Sequence, residues 1–156
     1  MKNIWITGAS SGIGKALAIK FANEGWQVAI SARRESLLKE LSNKYTNIHS
    51  FPLDVTDSNK CKSVFNSILQ KFENIEICVF GTGIHDPNSE KKLNVEKIRQ
   101  IMEINFFGSV NSINAVYYYY KDKKKGQISI ISSVAAYRGL PAGGAYCASK
   151  SALTSF

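Results

Sequence analysis

Along this chain, short apolar runs alternate with longer stretches that repeat every three to four residues. Residues 3–7, Asn-Ile-Trp-Ile-Thr, are apolar and β-branched, and they end in a glycine turn. Residues 14–25 have helical periodicity and stop at Gly25. A strand is predicted over 27–31, an amphipathic helix over 35–45, and a strand leading into a loop over 48–54. A helix follows over 57–72, capped by Asp57 or Ser58, then a strand over 76–80. Residues 94–120 read as one long helix, 126–132 as a fifth strand, and the stretch from Ala145 as the start of a last helix. Strand and helix periods that trade places in this way predict βαβ units and a parallel sheet covered on both faces. Crossovers in such a sheet are right-handed, which makes the doubly wound α/β fold the leading topology. No repeat, linker or change of composition divides the chain, so residues 1–156 read as a single domain.

Composition narrows the picture. Hydrophobic residues make up 44% of the 156, enough to fill a core and too many for a disordered tail. No apolar run approaches the roughly 18 residues that a spanning helix needs, and residues 1–10 lack a signal-peptide layout. The expectation is a soluble cytoplasmic protein without membrane attachment. Cys61, Cys78 and Cys147 are odd in number and form no CxxC pair, so they read as reduced structural thiols. His49 and His85 have no partners at ligand spacing, and no metal is expected. The net charge of +8 admits a nucleic-acid partner in principle. Its densest run, Lys-Asp-Lys-Lys-Lys at 121–125, fits a solvated helix end, where lysines suit the negative pole of the helix dipole. No nucleic-acid motif accompanies it, and no nucleic-acid partner is expected.

The first candidate chemistry lies in Thr-Gly-Ala-Ser-Ser-Gly-Ile-Gly, residues 7–14, between the first strand and the first helix. Gly8 permits a turn that a side chain would obstruct, Gly12 lets backbone approach a ligand, and Gly14 lets helix pack on strand. The helix N-terminus then directs N–H groups and partial positive charge at whatever lies there. A pyrophosphate fits, and Thr7, Ser10 and Ser11 add hydroxyl donors. A plain strand-to-helix turn is the bland alternative, because the spacing is GxxxGxG and not the general GxGxxG. Position at the first βα junction favours a dinucleotide. NAD-binding versions place an acid at the end of strand two. Here Ala32 stands in that slot and Arg33 and Arg34 follow. An arginine fork suits a 2′-phosphate, which favours NADP(H), with NAD(H) still possible.

The second candidate lies at Ala-Tyr-Cys-Ala-Ser-Lys, residues 145–150. Tyr146 and Lys150 are i and i+4 on a helix and share a face. A phenol is a poor acid–base catalyst at neutral pH, and a neighbouring ammonium stabilises its anion. Ser133 falls at the carboxyl end of strand five, the edge where open α/β sheets bind ligands. Its hydroxyl could hold a carbonyl oxygen beside Tyr146.

The glycine turn, the Leu-Asp-Val at 53–55, the gap of 13 residues from Ser133 to Tyr146, and Tyr-Cys-Ala-Ser-Lys together resemble the short-chain dehydrogenases/reductases, in their simple single-domain branch. The resemblance runs over essentially the whole chain. It implies a Rossmann-like doubly wound parallel sheet, here with strand order 3-2-1-4-5. It implies an NADP(H)-dependent oxidoreductase that interconverts a ketone or aldehyde and an alcohol. Tyr146 would be the general acid/base, Ser133 would polarise the carbonyl, and Lys150 would support Tyr146 and bind the nicotinamide ribose. Asn105 matches a helix asparagine that holds a water for proton relay. Asp54 and Val55 match positions beside the adenine, and Gly8, Gly12, Ile13 and Gly14 would line the pyrophosphate. A homodimer or homotetramer is expected, built on long helices, with Tyr117 to Tyr120 available to such an interface or divided between core and surface.

Two departures from the family pattern stand out. After strand four the family usually has Asn-Asn-Ala-Gly, where this chain has Phe80, Gly81, Thr82 and Gly83. Gly83 keeps the last glycine on the cofactor side, whereas Phe80 puts local sheet packing in question. Family members also run to roughly 250 residues. The expectation is therefore a chain truncated after the start of the catalytic helix, lacking the C-terminal strands and leaving strand five at an apolar edge. A catalytically silent NADP(H)-binding or interaction module is the alternative reading. Ile84, His85, Ala135 and Tyr137 would lie near the pocket mouth, with His85 read as a plain loop histidine.

Overall fold

The computed structural model describes residues 2–86 and 93–156. Five parallel strands form one sheet: β1 (Asn3–Thr7), β2 (Gln27–Ser31), β3 (Ile48–Ser50), β4 (Ile77–Phe80) and β5 (Gln127–Ile130). Their order is β3-β2-β1-β4-β5, with β5 at an edge. The strands alternate with α1 (Gly12–Asn23), α2 (Glu35–Lys44), α3 (Ser58–Phe72), α4 (Val95–Met102), α5 (Gly108–Lys123) and α6 (Gly144–Ser155). This is the doubly wound parallel fold that the alternating periods predict.

The central strand shows why the fold holds. Every residue of β1 is buried, because helices cover both faces of the sheet. Successive side chains point to opposite faces. Ile4 and Ile6 pack with Val28, Ile30, Leu38 and Leu41 on the side of α1 and α2. Trp5 faces the other way, into Phe65, Ile68, Phe80 and Val116 on the side of α3 and α5. Its indole N–H donates to Ser31 Oγ at 2.9 Å, so the one polar atom of that ring is satisfied. Phe80, the residue that the family pattern places in question, meets Trp5 edge-on at 5.5 Å and is 1% exposed. It completes the core instead of disturbing it.

The third strand and the long helix depart most from the sequence reading. The third strand ends at Ser50 because Pro52 cannot donate to a ladder. Parallel bonding nonetheless continues past it, from Phe51 N to Ile30 O and from Leu53 N to Ala32 O. The long helix expected over 94–120 runs to Lys123 and is interrupted by a π-helical turn at Glu103–Phe107. That wider turn is invisible to a 3.6-residue period. The tyrosine run divides between core and surface: Tyr119 accepts from Ile75 N and Tyr120 pairs with Cys78 Sγ, while Tyr117 and Tyr118 are exposed.

All three cysteines are free and buried. Burial raises the Cys61 thiol to about 11 and the Cys78 thiol to about 12, which keeps both protonated and inert. No helix among the described residues is long and apolar enough to cross a membrane.

Candidate functional site

A cleft of about 680 Å³ opens along the carboxyl edge of the sheet. At one end lies the turn between β1 and α1. Gly8 has φ +72°, and a Cβ there would come within 2.7 Å of the Gly81 backbone. A Cβ at Gly14 would sit 2.5 Å from Gly8 O. The turn is therefore clamped between α1 and the residues after β4, and only glycine fits. At Gly81, one of the departures from the family pattern, a Cβ would come 2.8 Å from Ile131 Cδ1 and 3.3 Å from Thr7 O, so the missing side chain lets the segment after β4 close on the residue after β5 and on the end of β1.

Gly8, Ser10, Ser11, Gly12, Ile13 and Gly14 all line this end, as expected. Thr7 is not among the residues that line the cleft. It is buried, and its Oγ1 accepts from Gly81 N at 3.3 Å, bracing β1 against the chain after β4. Arg33 and Arg34 also line the cleft. Arg34 reaches back across it, donating to Ser10 Oγ from Nε at 3.2 Å and from Nη2 at 2.9 Å, and to Ser11 Oγ at 2.7 Å. The guanidinium and both serine hydroxyls thus gather at one point, a donor set suited to a phosphate. Asp54 and Val55 form the neighbouring wall. Asp54 Oδ1 accepts from Thr56 N at 3.1 Å and Thr56 Oγ1 at 2.9 Å, which fixes the loop after β3.

At the other end stand Tyr146 and Lys150 of α6. Lys150 is 4% exposed, and its Nζ donates to Ile131 O at 2.9 Å. Burial lowers its pKa. An ammonium has three donors, and only one is spent on Ile131. Its Nζ lies 5.8 Å from the centre of the Tyr146 ring. Gly83 leaves room beside it, since a Cβ there would stand 3.5 Å from both Lys150 Nζ and Asn105 Oδ1. The π turn carries Asn105 inward to full burial, in keeping with the frequency of such turns at functional sites. Its Nδ2 donates to Ile84 O at 2.9 Å and Ser149 Oγ at 3.0 Å, and its Oδ1 accepts from Ile84 N at 2.8 Å. One lone pair on Oδ1 remains.

The serine pair after β5 divides its tasks. Ser133 Oγ accepts from Ala135 N at 3.1 Å and caps the short 3₁₀ turn Val134–Ala136, which is tied to α6 by Ser151 Oγ donating to Ala136 O at 2.8 Å. Ser132 lines the cleft, with its hydroxyl bonded to Lys150 O at 3.3 Å and Thr154 Oγ1 at 2.8 Å. Two further residues of this end make contacts that the sequence does not show, although His85 is expected near the pocket mouth. Ser149 is buried and bridges Asn105 to Tyr146 O. His85 lays its ring against Tyr146 with centroids 4.6 Å apart. Neither contact follows from spacing, because each joins segments far apart in the chain.

The cleft fits a dinucleotide on its own evidence. A glycine cradle and clustered phosphate-type donors lie at one end, and a buried ammonium with donors to spare lies at the other. Thr82 Oγ1, on the wall between them, is buried without a partner among the described residues.

Comparison with known proteins agrees with this geometry. The family model for short chain dehydrogenases matches residues 2–156. The mouse dehydrogenase/reductase SDR family member 7 is 30% identical over 161 residues, covering 98% of this chain and 48% of that protein. The NADP-dependent 3-hydroxy acid dehydrogenase of Schizosaccharomyces pombe is 32% identical over 162 residues, covering 99% of this chain and 62% of that protein. The chain thus spans about half to two thirds of the length of these relatives. A structure of ElxO with NADP bound superposes with a TM-score of 0.91 at 26% identity, covering 99% of this chain and 64% of that one. The alcohol dehydrogenase of the archaeon Thermococcus sibiricus, complexed with 5-hydroxy-NADP, gives 0.88 at 27% identity, covering 99% and 68%. The family model covers nearly the whole chain, which therefore belongs to the short-chain dehydrogenases.

Proposed function

We propose that this chain forms the NADP(H)-binding and catalytic part of an oxidoreductase that interconverts a ketone or aldehyde and an alcohol. The observation that carries the reading is the single cleft joining the glycine turn and arginine pair to Tyr146 and Lys150. Bound NADPH supplies the hydride for the carbonyl carbon. Tyr146 gives a proton to the carbonyl oxygen, and Ser133 polarises that oxygen. Lys150 offers its remaining donors to a ribose hydroxyl and its positive charge to the proton transfer. The lone pair left on Asn105 Oδ1 is the place for a relay water.

At the far end, Arg33 and Arg34 with Ser10 and Ser11 hold the 2′-phosphate, while Gly8, Gly12, Ile13 and Gly14 pass the pyrophosphate along the helix N-terminus. Asp54, Val55 and Gly83 frame the adenosine side. The NADP carried by ElxO and the cofactor named for the yeast relative support NADP(H) over NAD(H). We assign the protein to the cytoplasm, where its free thiols stay reduced. We also assign it a homo-oligomeric state, with exposed Tyr117 and Tyr118 offered to a second copy, and no nucleic-acid partner.

The test is consumption of NADPH in the presence of a panel of small ketones and aldehydes. Turnover with at least one carbonyl supports the reading. Saturable cofactor binding without turnover on any of them would favour a silent binding module instead.

A further inference from the structure

The roles assigned above leave out one side chain that touches Tyr146. His85 lines the cleft and stays exposed. Its ring lies against the phenol ring at 4.6 Å between centroids, with planes inclined by 34°. The backbone that leads into it is anchored by a chain of hydrogen bonds. Ile84, the residue before it, is fixed on both sides of its backbone by Asn105, at 2.8 Å and 2.9 Å. Asn105 donates to Ser149 Oγ at 3.0 Å, and Ser149 Oγ donates to Tyr146 O at 2.7 Å. These bonds link the Tyr146 backbone to the residue before His85, whose ring meets the Tyr146 ring. Asn105 and Ser149 are both fully buried, so water does not compete for their bonds.

Stacking engages the face of the imidazole, whereas its N–H lies in the ring plane and stays available to a ligand. A substrate whose reacting oxygen is held at Tyr146 would lie beside the His85 ring, which packs on the Tyr146 ring and lines the same cleft. The geometry points to His85 as a substrate-recognition residue that hydrogen-bonds a second oxygen acceptor on the substrate. The substrate class is then a bifunctional carbonyl compound, such as a 3-oxo acid or its ester, in preference to a simple ketone. This rests on the placement of the reacting carbonyl at Tyr146 proposed above.

The chain contains two histidines, so its imidazole C2–H proton NMR spectrum has two signals, and His85→Phe identifies that of His85. The chain is saturated with NADP⁺, which cannot reduce a ketone, and titrated with acetoacetate or with 2-pentanone. Acetoacetate is expected to shift the His85 signal and leave that of His49 in place. It is expected to bind about tenfold more tightly than 2-pentanone, the worth of one hydrogen bond. His85→Phe keeps a ring on Tyr146 without the donor, and the preference should collapse in it. An unmoved His85 signal at saturating acetoacetate, or a preference that survives in His85→Phe, overturns the assignment while NADP⁺ binding stands. Failure of NADP⁺ to bind in isothermal titration calorimetry overturns the proposed function and this assignment with it.

Discussion

The two ends of the cleft are built on opposite principles. The turn end is made mainly from backbone: Gly8 and Gly14 are needed for what they lack, and of the polar side chains there Ser11 and Arg34 lie at the surface while Ser10 is buried. The Tyr146 end is made from buried side chains. Asn105, Ser149 and Lys150 come from two helices and bond to the loop after β4 and to Ile131. A backbone cradle can be assembled from one local segment. A buried polar network needs every member in place, because any one removed leaves its partners unsatisfied in a site that water does not reach. The turn end should therefore govern affinity, and the Tyr146 end should govern rate and stability together.

The sharpest break between the two ends comes from Tyr146→Phe. It should lower turnover about a thousandfold, as loss of a general acid does, and leave the NADPH dissociation constant unchanged in a fluorescence titration. Next comes Asn105→Ala, which strands both Ile84 backbone groups and Ser149. It should cost about 3 kcal/mol in urea unfolding, whereas exposed Ser11→Ala at the turn end should cost little. Gly8→Ala probes the turn end where it is tight. Its methyl would press on the Gly81 backbone, and about 2 kcal/mol of destabilisation is expected from overpacking with strained φ.

Smaller effects refine the comparison. Arg34→Ala should weaken NADPH about tenfold, since one charge-assisted contact to phosphate is lost, and leave NADH nearly unaffected. Arg33→Ala should act in the same direction. Equal losses for both cofactors would mean that neither arginine reads the 2′-phosphate. The last prediction concerns Lys150, whose pKa burial lowers. Between its folded value and the ordinary value of 10.5 the unfolded chain binds the extra proton, so this group makes the fold more stable as pH rises through that window. The stability difference between the wild type and Lys150→Met should change with pH in that sense above neutrality. A pH-independent difference would mean that the ammonium is better solvated than its burial implies.

The same contrast sets what could be read from the sequence. The alternation of periods, the glycine turn and the i, i+4 spacing of Tyr146 and Lys150 are local patterns, and each stands in the structure where its pattern puts it. Phe80 was misleading because the family comparison supplies an asparagine there, while its actual neighbours, Trp5 and the core of α3 and α5, come from other segments. The π turn adds a wider loop of helix without changing the hydrophobic pattern enough to register. Thr7 borders the glycines in sequence, and the bond its Oγ1 accepts from Gly81 N joins residues 74 apart, which no local pattern shows. Ser149 lies inside a quoted motif, but its partner Asn105 is 44 residues away. His85 carries no spacing signal at all.

The central claim is that one cleft holds NADP(H) with the arginine pair at one end and Tyr146 at the other. Its most direct test is titration of NADPH and of NADH into the purified chain, followed by tryptophan fluorescence and repeated with Arg34→Ala. The account predicts saturable binding that prefers NADPH, with the preference reduced in the variant. Equal binding of both cofactors, or binding of neither, would contradict it.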